Sequence, residues 1–175
     1  AGTYDGSTIK IYINGVPDAE YPQPGSIVTS TGNMSLGYRT DGLDELFKGL
    51  IDEVEVFDRA LSSDEIVAIS PAGAAGKCKP CEPPSLDMVS WWPFDENSGS
   101  IAHDLMGPND GTSYGAAWAP GAPSVIDNIS SLKFNGSSEY VDLPDAASNV
   151  INDSAGTLTA WVNPTAIGDN DVIVA

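Results

Sequence analysis

Two stretches constrain this chain more than any other feature, "TIKIYINGV" and "LIDEVEVFD". Both alternate. In the first, Ile9, Ile11 and Ile13 share one face, and Thr8, Lys10, Tyr12 and Asn14 share the other. A period of two is the signature of a half-buried strand and is incompatible with a helix. Asn14-Gly15 then reads as a tight hairpin turn, and Asp5-Gly6 as another turn ahead of the strand. "SIVTS", "NMSLGYR", "MVSWWPFD", "SLKFNGSSEYVDLP" and "TLTAWVNP" read as further short strands, and "DNDVIVA" as an unfinished one. Between them lie turn-rich loops: "PDAEYPQPGS", "DGLDELFKG", "ENSGSIAHDLMGPNDGTSYG" and "APGAPSVIDNIS". One helix is signalled, a two-turn element in "LSSDEIVAIS". Ser62 or Ser63 caps it, Asp64 and Glu65 sit where the helix dipole favours acids, and Leu61, Ile66 and Ile69 form a buried side. Many short strands and one short helix predict an all-β, antiparallel jelly-roll sandwich.

Composition narrows the function. The net charge is −18, from 25 acids against 7 bases. Phosphate backbones need clustered Lys and Arg, so nucleic acid is excluded as a partner, and anionic lipid with it. No apolar run reaches the length of a membrane span, so no membrane insertion is expected. An acidic chain suits a salty or extracellular medium, and it suits calcium, a hard cation that takes oxygen ligands. The alternation breaks once, in "PAGAAGKCKPCEPPSLD", which reads as a linker by composition. The expected organisation is therefore 1–70, a linker at 71–87, and 88–175. Cys78 and Cys81 lie in that linker, outside the strand-helix-strand context of a redox pair.

At this point the residues resemble a known family. "GTYDGSTIKIYINGV" and "FKGLIDEVEVFDRALSSDEI" resemble the second half of a laminin-G-like jelly roll, the concanavalin-A-like lectin/glucanase fold. "MVSWWPFDENSGSIAHDLMGPNDG", "SLKFNGSSEYVDLP" and "TLTAWVNP" resemble the first half of the same domain. "AGKCKPCEPP" looks like the linker between tandem copies in bacterial secreted repeat proteins. The resemblance implies a chain that begins and ends within a domain, its halves combining within one chain or exchanging between chains. It implies an extracellular or cell-surface location, where Cys78 and Cys81 form a disulfide within the pair or between chains. It implies a recognition or adhesion module, with a glycan or an extracellular protein as partner. A spacer or self-assembling repeat, and a glycan hydrolase, are the alternatives.

The candidate chemistry follows. Related glucanases carry acids at alternate positions of one strand, where two carboxylates about 5–5.5 Å apart suit a retaining glycosidase. Here Glu53 and Glu55 share a face, but Phe57 follows where a third acid is needed. Asp52 lies on the face of Val54 and Val56, the expected core face. There a carboxylate costs several kcal/mol unless backbone N–H groups or a cation pair with it. The loop after "MVSWWPFD" holds Asp95, Glu96, Asp104, Asn109 and Asp110. Asp52, Asp95, Asp104 and Asn109 are the candidate ligands of a structural calcium; ordinary Asx-turns are the alternative reading of that loop. His103, the single histidine, has no companion ligands for zinc and reads as a loop residue. Trp91 and Trp92 are adjacent, so one should face inward and the other outward. Trp92 and Trp118 are the candidate platforms for a sugar ring, and Trp161 reads as core.

Overall fold

The structure is a computed structural model. It describes residues 1–27, 33–39, 46–74, 87–121, 130–144, 154–165 and 173. The elements run β1 (Gly2–Tyr4), β2 (Thr8–Ile13), β3 (Val16–Pro22), β4 (Ser35–Leu36), β5 (Lys48–Phe57) and α1 (Ser63–Ala74). They continue β6 (Met88–Trp92), β7 (Ile101–Ala102), β8 (Gly111–Tyr114), β9 (Ala117–Ala119), β10 (Ser131–Asn135), β11 (Tyr140–Asp142) and β12 (Gly156–Pro164).

Among the described residues the strands form two antiparallel sheets. The larger has eight, in the order β3-β2-β1-β12-β5-β10-β9, with β6 also pairing β5; the smaller runs β4-β11-β8-β7. The described residues are mostly β with one helix, as alternation predicts for a jelly-roll sandwich. Strands from before and after residues 71–87 interleave in both sheets. β12 lies between β1 and β5, and β10 and β6 follow one another along the other edge of β5. In the small sheet β11 stands between β4 and β8.

Asn14-Gly15 forms the hairpin turn its sequence predicts. Ile13 pairs Val16 across a two-residue loop. Both turn residues have positive φ, 52° and 78°, as a type I′ turn requires. A Cβ on Gly15 would stand 2.9 Å from the Cβ of Ser70, so the turn packs tightly on α1. The segment after it, expected as a loop, is the edge strand β3. Pro17 and Pro22 are tolerated there because an edge strand has an unpaired side.

Two clusters of apolar side chains stabilise the sandwich. The larger lies between the sheets: Leu36, Phe47, Ile51, Val54, Val56, Trp92, Phe94, Leu132, Phe134, Val141 and Leu143 are each 0–2% exposed. Ile173 packs against it, and its carbonyl accepts the Gly37 N–H at 2.8 Å; the rest of "DNDVIVA" lies outside the described residues. The second cluster is on the opposite face of the large sheet: Tyr12, Phe57, Leu61, Ile66, Met88 and Trp91, beneath α1. The helix starts with a capping box. Ser62 Oγ accepts the Glu65 N–H at 3.3 Å, and Glu65 Oε2 accepts the Ser62 N–H at 2.8 Å. Leu61 and Ile66 flank that box as a hydrophobic staple. The helix has twelve residues rather than two turns. It runs past Ser70 through Pro71, whose missing N–H removes a single hydrogen bond.

Cover is uneven along the large sheet. At the β2–β3 end Ile11, Ile13, Val16 and Tyr21 are 36–64% exposed, while Ile51, Val54 and Val56 on β5 are 0% exposed.

Candidate functional site

The acids of β5 are the first candidate, and a bulge rearranges them. On β12, Thr159 pairs Glu55 and Trp161 pairs Asp52, with a register shift between. Ala160 alone thus opposes both Glu53 and Val54, and Glu53 has a φ of 49°, the one-against-two geometry of a β-bulge. Asp52 and Glu55 pair with residues two apart on β12, so they share a face. That face is the one beneath α1. The expectation that Asp52 lies on the face of Val54 and Val56 is corrected: strict alternation miscounts by one across the bulge.

All three acids are buried, at 3%, 3% and 1% exposure for Asp52, Glu53 and Glu55. Each is bonded. Asp52 Oδ1 accepts the Glu53 N–H at 3.0 Å. Glu53 Oε2 accepts the Trp91 indole N–H at 2.7 Å. Glu55 Oε2 accepts the Thr159 hydroxyl at 3.0 Å. Hydrogen bonds of this kind compensate buried polar groups for the loss of water.

The second candidate is the loop after β6. Asp104 is 8% exposed, and its Oδ1 accepts the Trp91 and Met106 N–H groups, each at 2.9 Å. Asn109 donates to Ser90 Oγ at 2.9 Å. A Cβ on Gly107 would stand 3.1 Å from Asp104 Oδ2, 3.3 Å from Asn109 Nδ2 and 3.4 Å from the Val89 carbonyl, so this corner admits only glycine without a shift. Asp104 Oδ2 is buried and meets no hydrogen-bond donor. The Asp104 N–H donates to Asp110 Oδ1 at 2.8 Å, and His103 Nδ1 stands 3.0 Å from Asp110 Oδ2. The Asp104 N–H, with His103 second, holds the Asp110 carboxyl below its ordinary pKa.

Of the four residues expected to hold calcium, Asp104 and Asn109 meet at Gly107. Asp52 is engaged on β5, and Asp95 is half-buried in the turn after β6. Calcium takes six to eight oxygens. Among the described residues no group of three or more His, Cys, Asp or Glu is placed to hold a metal ion.

The tryptophans also differ from expectation. Trp91 and Trp92 are both buried, at 7% and 0%, because β6 has a core on each face: Trp92 enters the larger cluster and Trp91 the smaller. Trp92 donates its indole N–H to the Asn109 carbonyl at 2.9 Å, and its burial corrects its reading as a sugar platform. Trp118 is half-buried against the main core and donates to the Gly99 carbonyl at 3.0 Å. Cys78 and Cys81 lie outside the described residues.

A third grouping was missed in the sequence. Tyr114 on β8 pairs Tyr140 on β11, and their rings stack at 4.8 Å and 15°. Tyr38 meets Tyr140 at 5.5 Å. Asp142, two residues from Tyr140 and on its face, accepts Asn33 Nδ2 on both oxygens, at 3.0 and 3.1 Å. Val141 is 0% exposed in the main core and Tyr114 is 48% exposed, so this face looks away from the sandwich interior. The available signal was the alternation in "EYVD".

No curated protein and no solved structure matches the chain. Residues 1–67, which include β1–β5 and the start of α1, match the family model described as the concanavalin A-like lectin/glucanases superfamily.

Proposed function

We propose that this protein is a non-catalytic recognition module that binds carbohydrate outside the cell or at its surface. The superfamily of residues 1–67 supports a carbohydrate-binding or structural role. One observation supports recognition over hydrolysis. The alternating acids of β5, the residues best suited to glycosidase chemistry, are at most 3% exposed and bonded to Trp91 and Thr159. A glycosidase needs two carboxylates flanking the scissile bond in a site that sugar can enter. Glu53 and Glu55 instead tie β5 to β6 and β12 through Trp91 and Thr159.

A glycan array, run with calcium and with chelator and paired with an assay for released reducing ends, tests this reading. Binding without release is expected. Release that is lost in Glu55→Gln makes the protein a hydrolase. No binding on any glycan leaves the structural reading, which the exposed Ile13, Val16 and Tyr21 beside the outer strand β3 favour. Open apolar sheet surface of that kind promotes association between chains. In that case sedimentation shows concentration-dependent self-association, the exchange of half-domains.

A further inference from the structure

The tyrosine row ends at Tyr114, which is 48% exposed. Tyr114 stacks on Tyr140, and Tyr38 meets Tyr140 at a tilt of 40°. Tyr140 lies between Tyr38 and Tyr114, so the accessible ring faces are those at the two ends. Beyond Tyr114 the next strand is β7, where Ile101 pairs Thr112, and the Ser113 N–H donates to the Ser100 carbonyl at 2.7 Å. Continuing that register puts Gly99 beside Tyr114. Gly99 has no side chain to cover the ring, and a Cβ built on it would meet nothing within 4 Å. Its position is fixed, because Trp118 donates its indole N–H to the Gly99 carbonyl. An exposed aromatic face thus stands beside open space, on a sheet rather than on a loose loop.

We propose that the Tyr114 ring face over Gly99 is a stacking platform for a pyranose of a neutral polysaccharide, with Thr112 and the Asn33–Asp142 pair on the same sheet face as partners for sugar hydroxyls. The inference rests on the carbohydrate-recognition reading above. The class of ligand follows from charge. Strands β4, β7, β8 and β11 carry no Lys or Arg, and the chain has a net charge of −18. A sulfated or uronic-acid chain meets a strongly acidic protein and is disfavoured by charge. The pyranose C–H face suits an aromatic ring, and its hydroxyls suit amide, hydroxyl and carboxylate groups. A protein partner needs roughly 800 Å² on each side, far more than one ring face.

The test is affinity electrophoresis in gels containing laminarin, soluble starch, alginate or chitosan. The wild type is expected to be retarded by laminarin or starch. Tyr114→Thr, which keeps strand propensity, should bind at least about tenfold more weakly, while Tyr114→Phe should bind like wild type. Gly99→Asn tolerates the positive φ and places a side chain before the ring; it should lose binding as Tyr114→Thr does, and it carries the test if that variant melts early. Neutral-glycan retardation unchanged in both Tyr114→Thr and Gly99→Asn overturns the platform and leaves recognition standing at another surface. Retardation by alginate or chitosan alone overturns the neutral class. No retardation in any gel, with no glycan-array hit, overturns recognition and the platform together.

Discussion

Strand β5 and the tyrosine face of the small sheet make an instructive pair. β5 carries the conspicuous chemistry, three acids within four residues, and encloses it. The small sheet carries Tyr114 and Tyr140, with Tyr38 just past β4, and presents Tyr114 to solvent. The difference comes from layers. β5 has the small sheet over one face and α1 with Trp91 over the other, whereas among the described residues β8 and β11 are covered on one face only. A polar residue under two layers must be bonded and becomes part of the scaffold. An aromatic residue over one layer keeps a free ring. Residue type suggested the first as the site, and placement favours the second.

Breaking the enclosed side should have the largest effect. Trp92→Ala removes a fully buried indole and should cost about 3–5 kcal/mol by urea denaturation. Tyr114→Ala should cost about 1 kcal/mol or less, the scale of one cross-strand pair. Similar losses for the two would erase the contrast. Next is Glu53→Ala, which leaves the buried Trp91 indole N–H without its carboxylate and should cost roughly 2–3 kcal/mol. A loss under about 0.5 kcal/mol would mean the bond is not stabilising. Smaller again is Ser62→Ala, which opens the capping box of the helix over β5 and should cost about 1 kcal/mol. Faster hydrogen exchange is expected at Glu55 and Trp91, with Tyr140 unchanged.

The smallest expected effect is a pH dependence confined to the α1 side. Arg59, with Ser62 second, lowers the Glu65 carboxyl from its ordinary 4.5 to about 2. A depressed carboxyl pKa adds stability above its unfolded value and loses it as pH falls through the folded one. The Arg59–Glu65 contribution should therefore be full above about pH 4.5 and fade toward pH 2. It should be modest, because both side chains are more than one third exposed. Glu65→Gln should flatten the fall in melting temperature across that range, leaving only the part due to other acids.

Much of the fold was legible because its signals are local. The alternation of Ile9, Ile11 and Ile13 gave β2, Asn14-Gly15 gave the hairpin, and Ser62 with Glu65 gave the start of α1. β3 was not legible, since Pro17 and Pro22 count against a strand unless it is known to lie at an edge. The orientation of Asp52 was lost because a bulge at Glu53 leaves no mark on a period-two pattern. The candidate site was least legible. Tyr38, Tyr114 and Tyr140 meet only through pairing across long separations. Trp91 and Trp92, adjacent and conspicuous, are both consumed by packing because β6 has a core on each side.

On this proposal, the β5 acids serve structure and Tyr114 serves recognition. The most direct measurement is isothermal titration of a neutral polysaccharide that binds the wild type into two variants, Glu55→Gln and Tyr114→Thr, with reducing ends assayed in the same samples. Glu55→Gln is expected to bind like wild type, Tyr114→Thr to bind at least about tenfold more weakly, and no sample to release product. Binding lost in Glu55→Gln and kept in Tyr114→Thr, or product released by wild type and abolished by Glu55→Gln, would contradict it.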